Sequence, residues 1–343
     1  MNYIQRITAG LLLLTGFSSY CFSDNFVWRN IGNVPGNKSY HSSGVIGNKI
    51  YLIGDTIDEY DPLANTWVTK TNVACQGYAG IVNGKIYVIS RSSTCEYDLA
   101  QNTWSVKSTM QIPRPGFRVV VVNDKIYALG GGTCTQTGPY DSTHYPSITE
   151  EYDPVTDIWT IKGDHSISYG ASITVLNGKI YTAGGGYVAF VPLWHPVYDD
   201  DFGYYNTETF NGVTLKKMLE SKGEASMVAL HDKIYVIGGI HYDKQDYRSW
   251  YALKNVEEYN PETNTWFVKS YINVERWRAQ AVVLNDKIYL IGGNGNESQR
   301  TVEEGSLVPD QANGSEAPGL HFGAVGPIKK KIHELKKKIE NSR

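Results

Sequence analysis

The sequence predicts an all-β fold of six repeated four-stranded antiparallel units closed into a ring, and three observations carry that reading. First, Lys-Ile-Tyr occurs six times, beginning at Lys49, Lys85, Lys125, Lys179, Lys233 and Lys287, at intervals of 36, 40, 54, 54 and 54 residues. Spacing of that size marks a repeat array, which overrides the two-domain expectation that 343 residues would otherwise raise. Second, each copy follows a two-residue turn such as Asn83-Gly84 or Asn123-Asp124, with apolar alternation beyond it, which is the pattern of a strand entered from a hairpin. Third, 25 Tyr, 8 Trp and 34 Gly beside only 4 Met suit many short strands and tight connections.

Taken in order, residues 1–23 read as a secretory signal peptide: Arg6, the apolar run from Ile7 to Phe17, then a mostly small and polar stretch to Ser23. The apolar core is too short to span a bilayer comfortably, so an exported protein, periplasmic or secreted, is expected. The repeats fill 24–304. A strand a precedes each Lys-Ile-Tyr strand b, as at Arg118 to Val122. Strand c carries Glu59-Tyr60-Asp61, Glu96-Tyr97-Asp98, Glu151-Tyr152-Asp153 or Glu258-Tyr259-Asn260, and strand d carries Trp67, Trp104, Trp159 or Trp266. In unit 4, strand c is read at Glu208 to Asn211, with Leu215 standing where the Trp belongs. Unit 6 has strands a, b and c, ending at Glu304, but no Trp strand after them, whereas Trp28 stands alone before unit 1. Trp28 therefore supplies strand d of unit 6, and hydrogen bonds between the two ends close the ring.

The diglycines at Gly131-Gly132, Gly184-Gly185, Gly238-Gly239 and Gly292-Gly293, with the spaced Tyr and Trp, make the chain resemble the kelch-repeat β-propeller family over about 27–304. The resemblance implies a six-bladed propeller, with glycines allowing close approach near the axis and aromatics filling the space between blades. It also implies that residues 11 and 9 places before each strand-b Lys border an axial pocket, which singles out Arg114, Arg276, Glu224 and Arg278. The sequence is distantly similar in size and blade number to exported bacterial sialic-acid mutarotases. That resemblance implies, as an alternative function, an isomerase for an acidic sugar; the axial candidates would then serve it with Glu224 as the catalytic general base and Arg278 or Arg276 as carboxylate anchor.

Beyond the repeats, 305–327 is rich in Pro, Gly and Ser and reads as a flexible linker. Residues 328–343 place Ile328, Ile332, Leu335 and Ile339 on one face of a basic amphipathic helix. It is either a solvated tail or a contact with an anionic membrane surface or a partner. Residues 24–327 carry 24 Lys and Arg against 33 Asp and Glu, a net −9, while the tail carries +5. An acidic body with no basic stripe argues against nucleic acid. After removal of the leader three cysteines remain, and Cys75 with Cys95, which flank one hairpin, are the first choice for a disulfide.

No GxSxG, HExxH or phosphate-loop signature occurs, and neither a metal nor a cofactor is expected. The a–b turns are minimal, whereas the b–c connections are long and aromatic in three consecutive units, over about 133–149, 187–207 and 240–255. Long loops grouped on one face of a rigid scaffold are where binding is usually found. The expected function is therefore a binding module for a protein or carbohydrate ligand, using the b–c and d–a loops. Its ligand-binding candidates are Arg114, Arg118, Arg276, Arg278, Tyr40, Trp194 and Trp250.

Overall fold

The computed structural model describes residues 25–36, 42–91, 93–132, 148–164, 167–190, 194–242, 249–295 and 300–308, all within the unit Asp24–Val308. The predicted leader and tail helix, most of the predicted linker, and Tyr40 lie outside the described residues.

Six four-stranded antiparallel sheets form, each in the order a-b-c-d. Strand a of every blade neighbours strand a of the next, and blade 6 returns to blade 1, so the six inner strands ring one axis. This is a six-bladed β-propeller. A single sheet cannot bury both of its faces, and the core is correspondingly divided among the six blade–blade interfaces. Lys-Ile-Tyr repeats because adjacent strand residues point to opposite faces. Ile50 packs with blade 6 and Tyr51 with blade 2; Ile126 packs with blade 2 and Tyr127 with blade 4. One residue thus serves each interface, and all six isoleucines are fully buried.

The polar residues of the repeat hold the outer turns. Tyr60, Tyr97, Tyr152 and Tyr259 each donate to the turn residue five places on, Asn65, Asn102, Asp157 and Asn264, at 2.6–2.9 Å. Those four turn residues have φ between +51° and +56°, a region that Asn and Asp tolerate. Asp61 accepts from the N–H groups of Leu63 and Ala64 and pairs with Lys49. The strand-b Tyr completes the set: Tyr51 donates to Glu59 at 2.8 Å and Tyr127 to Glu151 at 2.5 Å.

The N-terminal strand, Asn25–Asn33, pairs along strand c of blade 6, with Trp28 opposite Gly305. Strand c itself runs Thr301–Val308, four residues past the predicted end of the repeats at 304, because the N-terminal strand supplies partners that far. Blade 4 differs from expectation. Its strand c is Phe202–Asn206, with Tyr205 opposite Ile180 in the place of the repeat Tyr, and Glu208 to Asn211 belongs to the turn and the approach to strand d. Gly212, not Leu215, stands opposite Tyr205 where other blades have Trp. Phe210 does the missing indole's work: from the left-handed turn position it packs 5.9 Å from the Tyr127 ring of blade 3.

The diglycines divide their work between two connectors. A Cβ on Gly238 would lie 2.5 Å from the Arg276 carbonyl of the next blade, and one on Gly293 would lie 2.8 Å from Trp277 O of its own. Close backbone approach, with φ of +61° and +95°, excludes side chains at both.

Two of the long b–c connections fold into extra hairpins: Gly186–Phe190 with Trp194–Tyr198 in blade 4, and Ile240–Tyr242 with Trp250–Ala252 in blade 5.

Candidate functional site

The d–a connectors and the b–c inserts meet on one face of the ring. Tyr169, Gly223 and Trp277 of the connectors exchange backbone bonds with Gly186, Ile240 and Asn294 at the start of the segments that follow strand b. On that face the charged residues sort into two kinds.

The first kind is sealed. In blade 3, Arg114 uses all five of its N–H donors: on Gly130 O, Ile112 O, Ala128 O and Ile148 O, and on Glu150 at 2.5 Å. Glu150 also accepts from the backbone N–H groups of Gln111 and Ile112, at 2.7 and 3.2 Å. The pair therefore ties the incoming connector to strand c. Blade 6 repeats it with Arg276, Glu303 and the N–H groups of Asn273 and Val274. Blade 5 uses Lys222, 2.6 Å from Glu257, which accepts from Leu219 N. Burial holds the Lys222 ammonium and the Arg276 guanidinium below their ordinary pKa, with Glu257 and Glu303 opposing the shift. The side chains of all three pairs are 0–1% exposed. The ligand-binding role expected of Arg114 and Arg276 finds no surface here, because both guanidiniums are enclosed within their blades.

In blade 2 the same position of strand c holds Cys95, and Cys75 stands one residue after the position of Arg114. The two are joined in a disulfide, with Cα atoms 6.1 Å apart. A covalent bond takes the place of the ion pair.

The second kind is open. Position 9 before the strand-b Lys is left-handed in four consecutive blades, at Gly116, Gly170, Glu224 and Arg278. Glu224 N donates to Gly170 O, and Arg278 N to Glu224 O, both at 2.7 Å, so these connectors link head to tail around the axis. Glycine adopts this backbone freely, whereas Glu and Arg each give up about 1–2 kcal/mol in it. The Glu224 carboxylate is shared: Oε1 accepts from Arg278 Nη2 at 3.1 Å, and Oε2 from Arg118 Nη2 at 3.4 Å. Arg118 of blade 3 reaches past blade 4 to blade 5, and Gly170 lies on the way. A Cβ there would come 3.4 Å from Glu224 Oε1 and 3.0 Å from the Tyr198 ring.

This Arg–Glu–Arg bar faces a cavity of about 560 Å³ along the axis. Strand a of each blade lines it, and Ser42, Ser172 and Ser226 are among the lining residues. These six strands are inner sheet edges whose axis-facing N–H and C=O groups make the walls polar. Side-chain exposure is 29% for Arg118, 21% for Arg278 and 8% for Glu224. Burial lowers the pKa of Arg278 from its ordinary value. Tyr198, from the inserted hairpin of blade 4, is buried beside the bar, with the Tyr242 ring edge-on at 5.6 Å. Burial, and then the Glu224 charge, raise the pKa of Tyr198. Chemically, two guanidiniums around one carboxylate, beside a polar cavity, are equipped to hold an anion.

Trp250 is 50% exposed on the hairpin of blade 5 and stands edge-on to Trp277 at 5.5 Å. Trp194 begins the second strand of the blade 4 hairpin, opposite Phe190. Sequence reading thus singled out Glu224, Arg278 and Arg118, which the fold unites, together with Arg114 and Arg276, which it sequesters. It missed Tyr198 as a neighbour of the bar, and it missed the clasp glutamates. A signal for the latter exists: Glu150, Glu257 and Glu303 occur in three of the four blades that carry Arg or Lys 11 places before the strand-b Lys, and the fourth, with Lys38, carries Asp58 instead.

A kelch-motif family model matches residues 113–165 and 222–268. Kelch-like protein 15 of Danio rerio is 28% identical over 254 residues, which take in 67% of this chain and 41% of that protein. Alpha-scruin of Limulus polyphemus is 24% identical over 276 residues, 80% of this chain and 27% of its own length. This chain therefore spans less than half the length of these relatives. The solved structure of YjhT superposes with a TM-score of 0.66, covering 82% of this chain and 97% of that one at 14% identity, a likeness of fold. The chain is a six-bladed β-propeller, and its third and fifth blades match the kelch motif.

Proposed function

We propose that this propeller is a binding module that takes a protein or carbohydrate ligand on the face bearing the d–a connectors and the b–c hairpins. The observation that carries the proposal is the convergence of Arg118, Glu224 and Arg278 from three blades on an open cavity of about 560 Å³ on that face. Scaffold residues of the repeat are buried or paired, whereas the unrepeated Trp250 is half-exposed here and Arg118 and Arg278 are partly exposed. Half-exposed aromatic rings beside charged groups suit sugar faces and protein hot spots alike. The Cys75–Cys95 disulfide supports an exported protein, since such bonds persist in oxidising compartments.

Glycan-array and immobilised-peptide binding of the whole chain tests the proposal, with Arg278→Met and Trp250→Ala as paired controls. Saturable binding weakened by both substitutions is expected. Binding indifferent to both would move the ligand to another surface. The cavity also favours a second reading, a small acidic sugar isomerised with Glu224 as general base. An unchanged rate of sialic-acid anomer exchange by proton NMR, with and without protein, would sink that version alone.

A further inference from the structure

The bar across the channel mouth differs from the sealed clasps in every property that governs exchange. A clasp glutamate accepts from a fully enclosed cation and from backbone N–H groups of its own connector, so no other anion has access. Glu224 instead lies between two partly exposed guanidiniums of other blades, at 3.4 and 3.1 Å, beside an open cavity. Nothing in the backbone calls for its side chain. Gly116 and Gly170 occupy the same ring position with the same left-handed conformation, and a glycine at 224 or 278 would keep the Glu224 N–Gly170 O and Arg278 N–Glu224 O bonds without strain. Arg278 is also desolvated there, and a charge in such surroundings interacts with an anion more strongly than in water.

We propose that Arg118 and Arg278 are an anion clamp in which Glu224 is the resident carboxylate, exchanged for the carboxylate of an incoming ligand. On entry the ligand takes the two Nη2 donors, Glu224 turns out of the clamp, and the polar remainder of the ligand meets the serines and strand-edge backbone of the channel. Glu224 then acts as a built-in competitor that sets an affinity threshold and rejects uncharged molecules, because these cannot replace its charge. The inference deepens the binding-module reading by naming the group recognised on that face, and it rests on that reading.

The test uses the whole chain, with D-glucuronate as probe and D-glucose as its uncharged counterpart. Glu224→Gln removes the competing charge, so glucuronate should bind at least tenfold more tightly than to the unsubstituted protein by calorimetry. Arg118→Met and Arg278→Met should each lose at least tenfold. Glu224→Gly, which matches Gly116 and Gly170, relieves the backbone but leaves the guanidiniums facing each other. Its Tm should rise with glucuronate more than that of the unsubstituted protein, and should not respond to glucose. Equal or weaker glucuronate binding by Glu224→Gln overturns the proposal, as does glucose binding as well as glucuronate. A Glu224→Gly protein that unfolds and is not restored by glucuronate assigns Glu224 a structural role and likewise overturns it. A tightened response in Glu224→Gln with no array ligand would sink the binding-module reading and leave the clamp standing. Array binding with no tightening does the reverse.

Discussion

Arg276 and Arg278 lie two residues apart on one connector, yet they belong to different kinds of structure. Arg276 enters the blade, where Glu303, Val274 O, Gly292 O and Thr301 O receive it. Arg278 adopts the left-handed backbone, faces the channel, and meets a carboxylate carried by another blade. The comparison separates charge used for architecture from charge available for recognition, and the divider is whether strand c of the same blade supplies the partner. It can be broken by substitution. Arg276→Met strands the enclosed Glu303 carboxylate, and loss of one partner of a buried pair is expected to destabilise by about 3–5 kcal/mol, read as a fall in the urea midpoint. Arg278→Met should change stability by no more than about 1 kcal/mol while weakening ligand binding at least tenfold. Similar midpoints for the two variants would erase the distinction.

Blade 2 sharpens it, because there a disulfide occupies the clasp. Cys75→Ala with Cys95→Ala is expected to lower stability by about 2–4 kcal/mol, and reduction of the unsubstituted protein by a like amount. If the disulfide and the ion pair are interchangeable ways to fasten connector to strand c, Ala74→Arg with Cys75→Ala and Cys95→Glu should recover part of that loss. Chemical denaturation of the three proteins side by side checks this. No recovery would mean that the blades are fastened by unrelated means.

How much of this was legible in the sequence follows from the same division. The blades were readable because every Lys-Ile-Tyr puts one residue into each of two interfaces, so the pattern recurs wherever the packing does. Ring closure was readable from one orphan, Trp28, and one missing Trp strand. Blade 4 was misread because Phe210 fills the Trp site from the turn, and a side chain arriving from a different backbone position has no fixed spacing. The bar was only half legible. Glu224, Arg278 and Arg118 stood out as unrepeated charges, but position 11 looked as promising as position 9. What separates them is the chain's turn at the left-handed residue, which sends the two side chains to opposite sides of the connector. Tyr198 escaped notice because its place beside the bar depends on the insert folding back as a hairpin.

The outer turns provide a third class of charge, and the smallest expected effect. Asp61 and Asp153 titrate below the ordinary aspartate value of 3.8, held down first by hydrogen bonds from Lys49 and Lys125. For Asp98 the N–H of Gln101 is the leading cause. A carboxylate whose folded pKa lies below its unfolded one binds fewer protons in the native state. Its contribution to stability is therefore complete above about pH 4 and is lost as the pH falls through the depressed values. Urea midpoints should be flat with respect to these groups between pH 5 and about 8 and should decline below 4, and Asp61→Asn with Asp153→Asn should make that decline shallower. Because these aspartates sit at the solvent boundary, 0.5 M salt should shrink the difference, whereas the effect of Arg276→Met should persist in it. A salt-insensitive decline, unchanged by the two substitutions, would show that acid acts elsewhere and that the turns contribute by backbone geometry alone.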